Sequence, residues 1–189
     1  MKTAKRTAAV LLAGILICGL IFLIRLHEPE RYLKGCYHHN KEQLNRIAVI
    51  FKGFYEPGAA QAKFELKPCL LTLTDDKQKT QSSSNNNPTV YELETLLSAL
   101  QEQYQKDSRY PVFSVISAEF DSKGNMLLTL TVRATHIKGR SGTEGKDVLY
   151  CSLVYCDDGF VREKASAQPK TGKHLDGCWY MKVSEGYSG

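Results

Sequence analysis

The feature that most constrains this chain is an uncharged, apolar stretch near its N-terminus. Residues 8–24 carry no charged side chain and are rich in leucine and isoleucine, and with Thr7, Arg25 and Leu26 the stretch reaches 20 residues. As an α-helix rising about 1.5 Å per residue, it would match the ~30 Å hydrocarbon core of a bilayer. Arg25 can extend its guanidinium to the interface. The sequence therefore predicts a transmembrane helix over residues 7–26.

The residues on either side of this stretch predict its orientation. Lys2, Lys5 and Arg6 precede it, and the positive-inside rule places such a basic tail in the cytoplasm. The sequence therefore predicts a single-pass cell-membrane protein with an uncleaved signal anchor and an extracytoplasmic domain. A cleaved signal peptide and a buried helix of a soluble protein are the alternatives, but no small-residue cleavage site follows Ile24. The predicted division is a basic tail (1–6), the anchor (7–26), a juxtamembrane linker (27–39) and the domain (40–189).

The charge of the chain is concentrated at this anchor. The whole sequence has 25 basic and 20 acidic residues, and four of the basic residues lie before residue 27, whereas all the acidic residues lie after it. The predicted domain is therefore nearly neutral. Because a nucleic-acid-binding domain carries a basic face, we expect no nucleic-acid partner.

Five cysteines fall in the predicted extracytoplasmic part, namely Cys36, Cys69, Cys151, Cys156 and Cys178. In an oxidising compartment they allow at most two disulfides, and the sequence does not select among the pairings. Two cysteines five residues apart on one extended strand lie about 16 Å from each other, too far for a bridge between Cys151 and Cys156. Buried thiols fit the odd count equally well.

Two amphipathic helices are predicted. The first covers residues 40–55, with Asn40 as its N-cap and Pro57-Gly58 ending it. At the start of the second, Thr89 and Glu92 have the spacing of a capping box, with Pro88 just before it. Its apolar stripe is Leu93, Leu96, Leu97, Leu100 and Tyr104.

The other segments predict strands and loops. Hairpin loops are expected at residues 121–125 and 157–159, because each contains aspartate and glycine between apolar runs. A polar loop is expected over 75–87 and a glycine-rich loop over 139–146. The predicted strands are 64–73, 112–120, 126–134, 148–156, 160–164 and 175–183.

This order predicts an α+β fold, in which the transmembrane helix is followed by two helices packed on a mostly antiparallel β-sheet. The order of elements is similar to that of cystatin-like and nuclear-transport-factor-2-like (NTF2-like) folds. The similarity concerns element order alone, since no motif indicates a particular family.

No motif predicts a cofactor or a metal. The stretch Gly139–Asp147 has Arg140 where a phosphate-binding loop needs glycine, and Asp147 where it needs serine or threonine. Cys36, His38 and His39 lack the paired spacing of zinc ligands. We therefore expect neither a cofactor nor a metal site.

Catalytic and binding residues are only weakly indicated. His136 and His174 are the histidines inside the domain, and a hydrolytic site would need one of them beside an acid such as Asp157, Asp158 or Asp176, or beside a thiol. Trp179, with Tyr180 and His174, forms the candidate binding group, because tryptophan often anchors a partner. Packing of the Trp179 ring in the core is the favoured interpretation.

Together these features predict a membrane-anchored extracytoplasmic module that interacts with a protein of the cell envelope or binds a ligand. Its contacts with the membrane would be made by residues 7–26. The alternative is a small cell-envelope hydrolase that uses a histidine with a nearby acid or thiol. Convergence of those residues in one pocket distinguishes the two.

Overall fold

The computed structural model describes residues 28–83, 87–108, 110–136, 146–160 and 172–188. These residues form three α-helices and eight strands. The helices are α1 (28–39), α2 (Lys41–Lys52) and α3 (Pro88–Tyr104), and a 3-10 turn (Gln105–Asp107) follows α3. The strands are β1 (Ala59–Glu65), β2 (Leu70–Asp75), β3 (Thr80–Ser83), β4 (Val115–Phe120), β5 (Met126–His136), β6 (Lys146–Cys156), β7 (Lys173–Asp176) and β8 (Trp179–Ser188).

The strands form one sheet in the order β3-β2-β1-β4-β5-β6-β8-β7, with every described pairing antiparallel. The helices cover one face of it, which we call the inner face. The alternation of β5 shows why: Leu128, Leu130 and Val132 are fully buried on the inner face, whereas Thr129 and Thr131 are only partly buried on the outer face. The predicted α+β architecture of helices on an antiparallel sheet is confirmed.

The predicted linker at 27–39 needs correction, because residues 28–39 form α1. Leu33, Cys36 and Tyr37 are 0–1% exposed within the main core. Their i, i+3, i+4 spacing is that of a helix face. The folded domain therefore begins at or before residue 28, and not at residue 40.

The two predicted helix starts also differ from the structure. Asn40 makes no side-chain cap; its Nδ2 donates to the Cys36 carbonyl oxygen (2.9 Å) and to the Tyr104 hydroxyl oxygen (2.8 Å). At α3 the N-cap is Asn87, whose Oδ1 accepts a hydrogen bond from the Thr89 backbone N–H (2.9 Å). Glu92, predicted to close a capping box, instead binds Arg46 of α2 through both carboxylate oxygens (2.6 and 3.1 Å).

The first half of the sheet was predicted as one strand and a loop. The strand at 64–73 is instead a hairpin, β1 and β2, because the chain turns at residues 66–69 around Pro68. The polar loop at 75–87 contains β3, which pairs with β2 through backbone groups. An edge strand of this kind needs no apolar side chains, so its sequence resembles a loop.

The second half contains one confirmed hairpin and two corrections. The loop at 121–125 joins β4 to β5 as predicted, with Gly124 at φ +80°. β4 starts at Val115, three residues later than expected. The predicted strand 175–183 is two strands, β7 and β8, joined by a turn at Gly177 (φ +54°). The glycine-rich loop at 139–146 (up to residue 145) and the strand at 160–164 (from residue 161) lie outside the described residues.

Candidate functional site

Trp179 lies in the core. Its ring is 2% exposed and packs against Tyr37 and Tyr155, with ring centroids 5.9 and 5.4 Å away. Its Nε1 donates to the Asn45 side-chain oxygen of α2 at 2.8 Å. The polar edge of the indole is therefore satisfied inside the domain, and the side chain is not presented to solvent.

Tyr180 and His174 lie together on the outer face. The two residues are cross-strand partners on β8 and β7, and their ring centroids are 5.1 Å apart. Tyr180 packs on a small apolar cluster formed by Leu127, Val154, Cys156 and Phe160. The exposed His174 ring bonds through Nε2 to the Gly177 carbonyl oxygen at 2.8 Å. The predicted binding group is thus divided, with Trp179 on the opposite face.

The histidines proposed for a hydrolytic site do not converge. His136 is in register with Val148 of β6 and through it with Gly186 of β8, whereas His174 is opposite Tyr180. Six residues of β8 therefore separate the two levels, about 20 Å along the strands. His136 and His174 therefore lie in separate parts of the sheet and do not share one pocket.

The acids near these histidines have structural partners. The Asp157 carboxylate accepts hydrogen bonds from the Met126 backbone N–H (3.0 Å) and the Tyr155 hydroxyl (3.1 Å), and Lys52 Nζ lies 3.1 Å away. Burial, together with the Asp157 charge, raises the pKa of Tyr155, so its hydroxyl stays protonated. Asp157 thus ties α2 to the end of β6. Asp158 is an exposed turn residue.

Asp176 is also engaged. Its carboxylate forms an ion pair with Lys41 at the start of α2. The hydrogen bond and the charge of Lys41 hold the pKa of Asp176 below its usual range. This pair joins the edge strand β7 to α2.

The side chains of Cys36, His38 and His39, which precede α2, also do not converge. Cys36 is buried, and burial raises the pKa of its thiol to about 12. His38 and His39 are exposed, and His39 Nδ1 bonds to the Gly35 carbonyl oxygen at 2.7 Å. No group of three histidine, cysteine or acidic side chains suited to a metal ion occurs within the described ranges. The five described cysteines are all thiols.

A cleft between α3 and the sheet is the feature best suited to hold a ligand. It has a volume of about 630 Å³, within the ~300–1,000 Å³ of typical ligand sites. One wall is the last two turns of α3, and the other is the end of β1 and the start of β4. The lining residues are Leu66, Lys67, Ser98, Gln101, Glu102, Gln105, Pro111, Ser114 and Val115.

Two glutamines of α3 shape this α3–β4 cleft. Gln101 Nε2 donates to the Val112 carbonyl oxygen (3.0 Å), and Gln105 Nε2 donates to that of Tyr110 (3.1 Å). The Val112 N–H returns a bond to Gln105 Oε1 (3.0 Å). Next to this segment Phe113 is buried at φ +52°, a conformation that costs a non-glycine residue about 1–3 kcal/mol. The fold thus fixes the segment that leads into β4.

The surface of the α3–β4 cleft is mainly apolar. Val115 is a large apolar side chain that remains 45% exposed beside it. Lys67 and Glu102 supply one charge of each sign at exposed positions. The arrangement can accept an apolar group and pair with a charged one.

A second, smaller cavity of about 210 Å³ lies at the other end of β1. Its lining includes Phe54, Pro57, Leu73, Asp75 and Lys79. The Asp75 carboxylate is occupied by the backbone N–H groups of Lys77 and Lys79 (3.0 and 2.7 Å). We call it the β1–β2 cavity.

The sequence analysis missed the α3–β4 cleft, whose walls come from separate parts of the chain. The predicted anchor at 7–26 lies outside the described residues, and no helix within those residues is long and apolar enough to span a bilayer. Comparison of the chain with protein-family models, curated proteins and solved structures gave no match.

Proposed function

We propose that this chain is a single-pass membrane protein whose extracytoplasmic domain binds a ligand in the α3–β4 cleft. The apolar segment 7–26 would hold the domain at the outer surface of the cell membrane, with residues 1–6 in the cytoplasm. From the order of elements alone, we also propose a fold of the NTF2-like or cystatin-like kind. In such folds helices lie on one face of the sheet, as they do in this domain.

The observation that supports this proposal is the combination of an open, mainly apolar cleft with candidate catalytic acids that are engaged elsewhere. The cleft is within the usual size range of a ligand site. By contrast, Asp157 and Asp176 are ion-paired to α2. The site is therefore better suited to binding than to hydrolysis.

Site-specific photocrosslinking tests the ligand site. A photoreactive amino acid replaces Ser98, an exposed residue that lines the cleft, and in a matched variant it replaces Ala99, an exposed neighbour outside the lining. Full-length protein is irradiated in native membranes, and attached molecules are identified by mass spectrometry. We expect a discrete adduct at position 98 that is absent at position 99. Equal labelling at both positions, or none at either, contradicts the proposal.

A further inference from the structure

The position of α1 limits which edge of the domain can face the membrane. The predicted anchor ends at Leu26, and residue 28 already belongs to α1; two residues of extended chain span at most about 7 Å. Glu28 Oε1 lies 3.4 Å from Nη1 of Arg133, near the end of β5. If residues 7–26 cross the bilayer, the end of the sheet near Arg133 of β5 must lie close to the membrane surface.

The α3–β4 cleft opens at this same end of the sheet. Glu65 of β1 is in register with Val115, and the Phe113 backbone N–H donates to the Thr131 carbonyl oxygen of β5 at 3.0 Å. Thr131 is two residues before Arg133 on β5, about 7 Å along the strand. The cleft mouth lies at the level of Thr131, one or two strands to the side, which adds about 5–10 Å.

The helix side of the cleft leads to the same conclusion. The Tyr104 ring at the end of α3 packs edge-on against the Tyr32 ring of α1, with centroids 5.9 Å apart. Tyr32 is one turn from Glu28, and Gln105, which follows Tyr104, lines the cleft. The β1–β2 cavity lies at the opposite end of β1, six residues or about 20 Å away.

From this placement we infer that the ligand of the α3–β4 cleft is a phospholipid drawn from the adjacent leaflet, an inference that rests on the function proposed above. A phospholipid is about 20 Å long, half the 40–45 Å thickness of a bilayer, so it can reach the cleft without leaving the interface completely. Its acyl chain matches the mainly apolar lining beside Leu66 and Val115. Its phosphate matches the exposed Lys67 at the rim.

Photolabelling from the lipid tests this inference. Full-length protein is reconstituted in nanodiscs that contain a phospholipid with a diazirine on one acyl chain, and labelled residues are located by mass spectrometry. We expect adducts in residues 7–26 and in the cleft lining, with none in the β1–β2 cavity. A Val115→Glu variant should lose at least about tenfold of the cleft labelling, whereas Val49→Glu, at an exposed valine of α2, should keep it.

The other outcomes separate the two proposals. Adducts confined to residues 7–26, together with a water-soluble adduct at position 98 in the crosslinking experiment, overturn the lipid inference and leave the binding module standing. Equal labelling of both cavities overturns the lipid inference as well, because it shows unspecific contact. If residues 7–26 carry no adduct, the anchor itself fails, and both proposals fail with it.

Discussion

Asn40 joins the first two helices to the third through its side-chain amide, which donates to the Cys36 carbonyl and to the Tyr104 hydroxyl. Asn40 is 7% exposed, so a lost donor would not be replaced easily by water. The role needs an N–H group, which asparagine has and aspartate lacks. Aspartate suits an N-cap, but it is therefore not suited to the position of Asn40.

The variant Asn40→Asp tests this role. We expect it to lower the free energy of unfolding by about 2–3 kcal/mol, because it removes the donor and buries a carboxylate beside a carbonyl oxygen. Asn87→Asp is the control; Asn87 caps α3 with its side-chain oxygen, so the change should stay within about 0.5 kcal/mol. Urea unfolding measures both. Equal effects would contradict the assignment.

The buried pair of Cys36 and Tyr104 predicts alkaline sensitivity. Burial raises the pKa of Cys36 from 9.0 to about 12 and that of Tyr104 from 10.0 to about 12. Because both pKa values are higher in the folded state, their contribution to stability is complete below about pH 9 and is lost as the pH rises to about 12. The free energy of unfolding should therefore fall over this range.

The contribution of Cys36 is isolated by Cys36→Ala. Urea unfolding at a series of pH values should show a shallower decline between pH 9 and 12 for this variant than for the parent, whatever its stability at neutral pH. An identical slope would show that the Cys36 thiol does not titrate differently in the folded and unfolded states.

Trp179 provides a spectroscopic test because it is the sole tryptophan of the chain. With its ring 2% exposed, we expect a blue-shifted fluorescence emission, weak quenching by acrylamide, and a red shift on unfolding in urea. Strong quenching of the folded protein would place the ring at the surface, as expected of a ligand anchor, and would contradict its place in the core.

At the scale of elements, the two glycine turns of the sheet differ in what surrounds them. A Cβ at Gly124 would lie 2.7 Å from the Tyr55 ring, whereas at Gly177 it would meet nothing within 4 Å. Both have positive φ, so an alanine costs about 1–2 kcal/mol at either. Gly124→Ala should cost about 1–3 kcal/mol more because of the clash. Thermal or urea unfolding of both variants measures the difference, and equal losses would contradict the packing of Tyr55 on this loop.

The helix α1 is tested by a core and a surface variant. Leu33→Ala should destabilise the domain by about 2–5 kcal/mol, because Leu33 is fully buried. Lys34→Ala, at the exposed neighbouring position, should change stability by less than about 0.5 kcal/mol. Urea unfolding of the two variants decides whether residues 28–39 belong to the domain. Two silent variants would indicate a linker.

The elements that the sequence predicted correctly have strong local patterns. The alternation of β5 and the stripe of α3 express one periodicity over many residues. The pattern of α1 was less clear, because Gly35 interrupts it and the exposed His38 and His39 follow it. β3 is polar because its pairing uses the backbone, and only Gly177 indicates the turn between β7 and β8.

The α3–β4 cleft was beyond prediction from local pattern. Leu66, Gln101 and Val115 are far apart in the chain and meet only because β1 pairs with β4 while α3 packs across them. Gln101 and Gln105 lie four residues apart and were a possible signal, but glutamines at this spacing are common on helix surfaces.

At the scale of the whole molecule, four ion pairs among the described residues connect the first two helices to the second half of the sheet. They are Glu28–Arg133, Glu30–Lys173, Lys41–Asp176 and Lys52–Asp157. Because each pair has at least one exposed partner, solvent screens it and its contribution to stability is small. Their role is positional: the two pairs of α1, Glu28–Arg133 and Glu30–Lys173, hold this helix over the sheet near the end where the α3–β4 cleft opens.

The claim on which the functional account depends is that residues 7–26 hold the domain outside the cell membrane. The most direct measurement is protease accessibility in intact cells that express the full-length chain with one epitope before Met1 and another after Gly189. We predict that the protein resists alkaline extraction, that the C-terminal epitope is digested in intact cells, and that the N-terminal epitope is protected until the membrane is opened. A protected C-terminal epitope, or release of the intact chain at alkaline pH, would contradict the account.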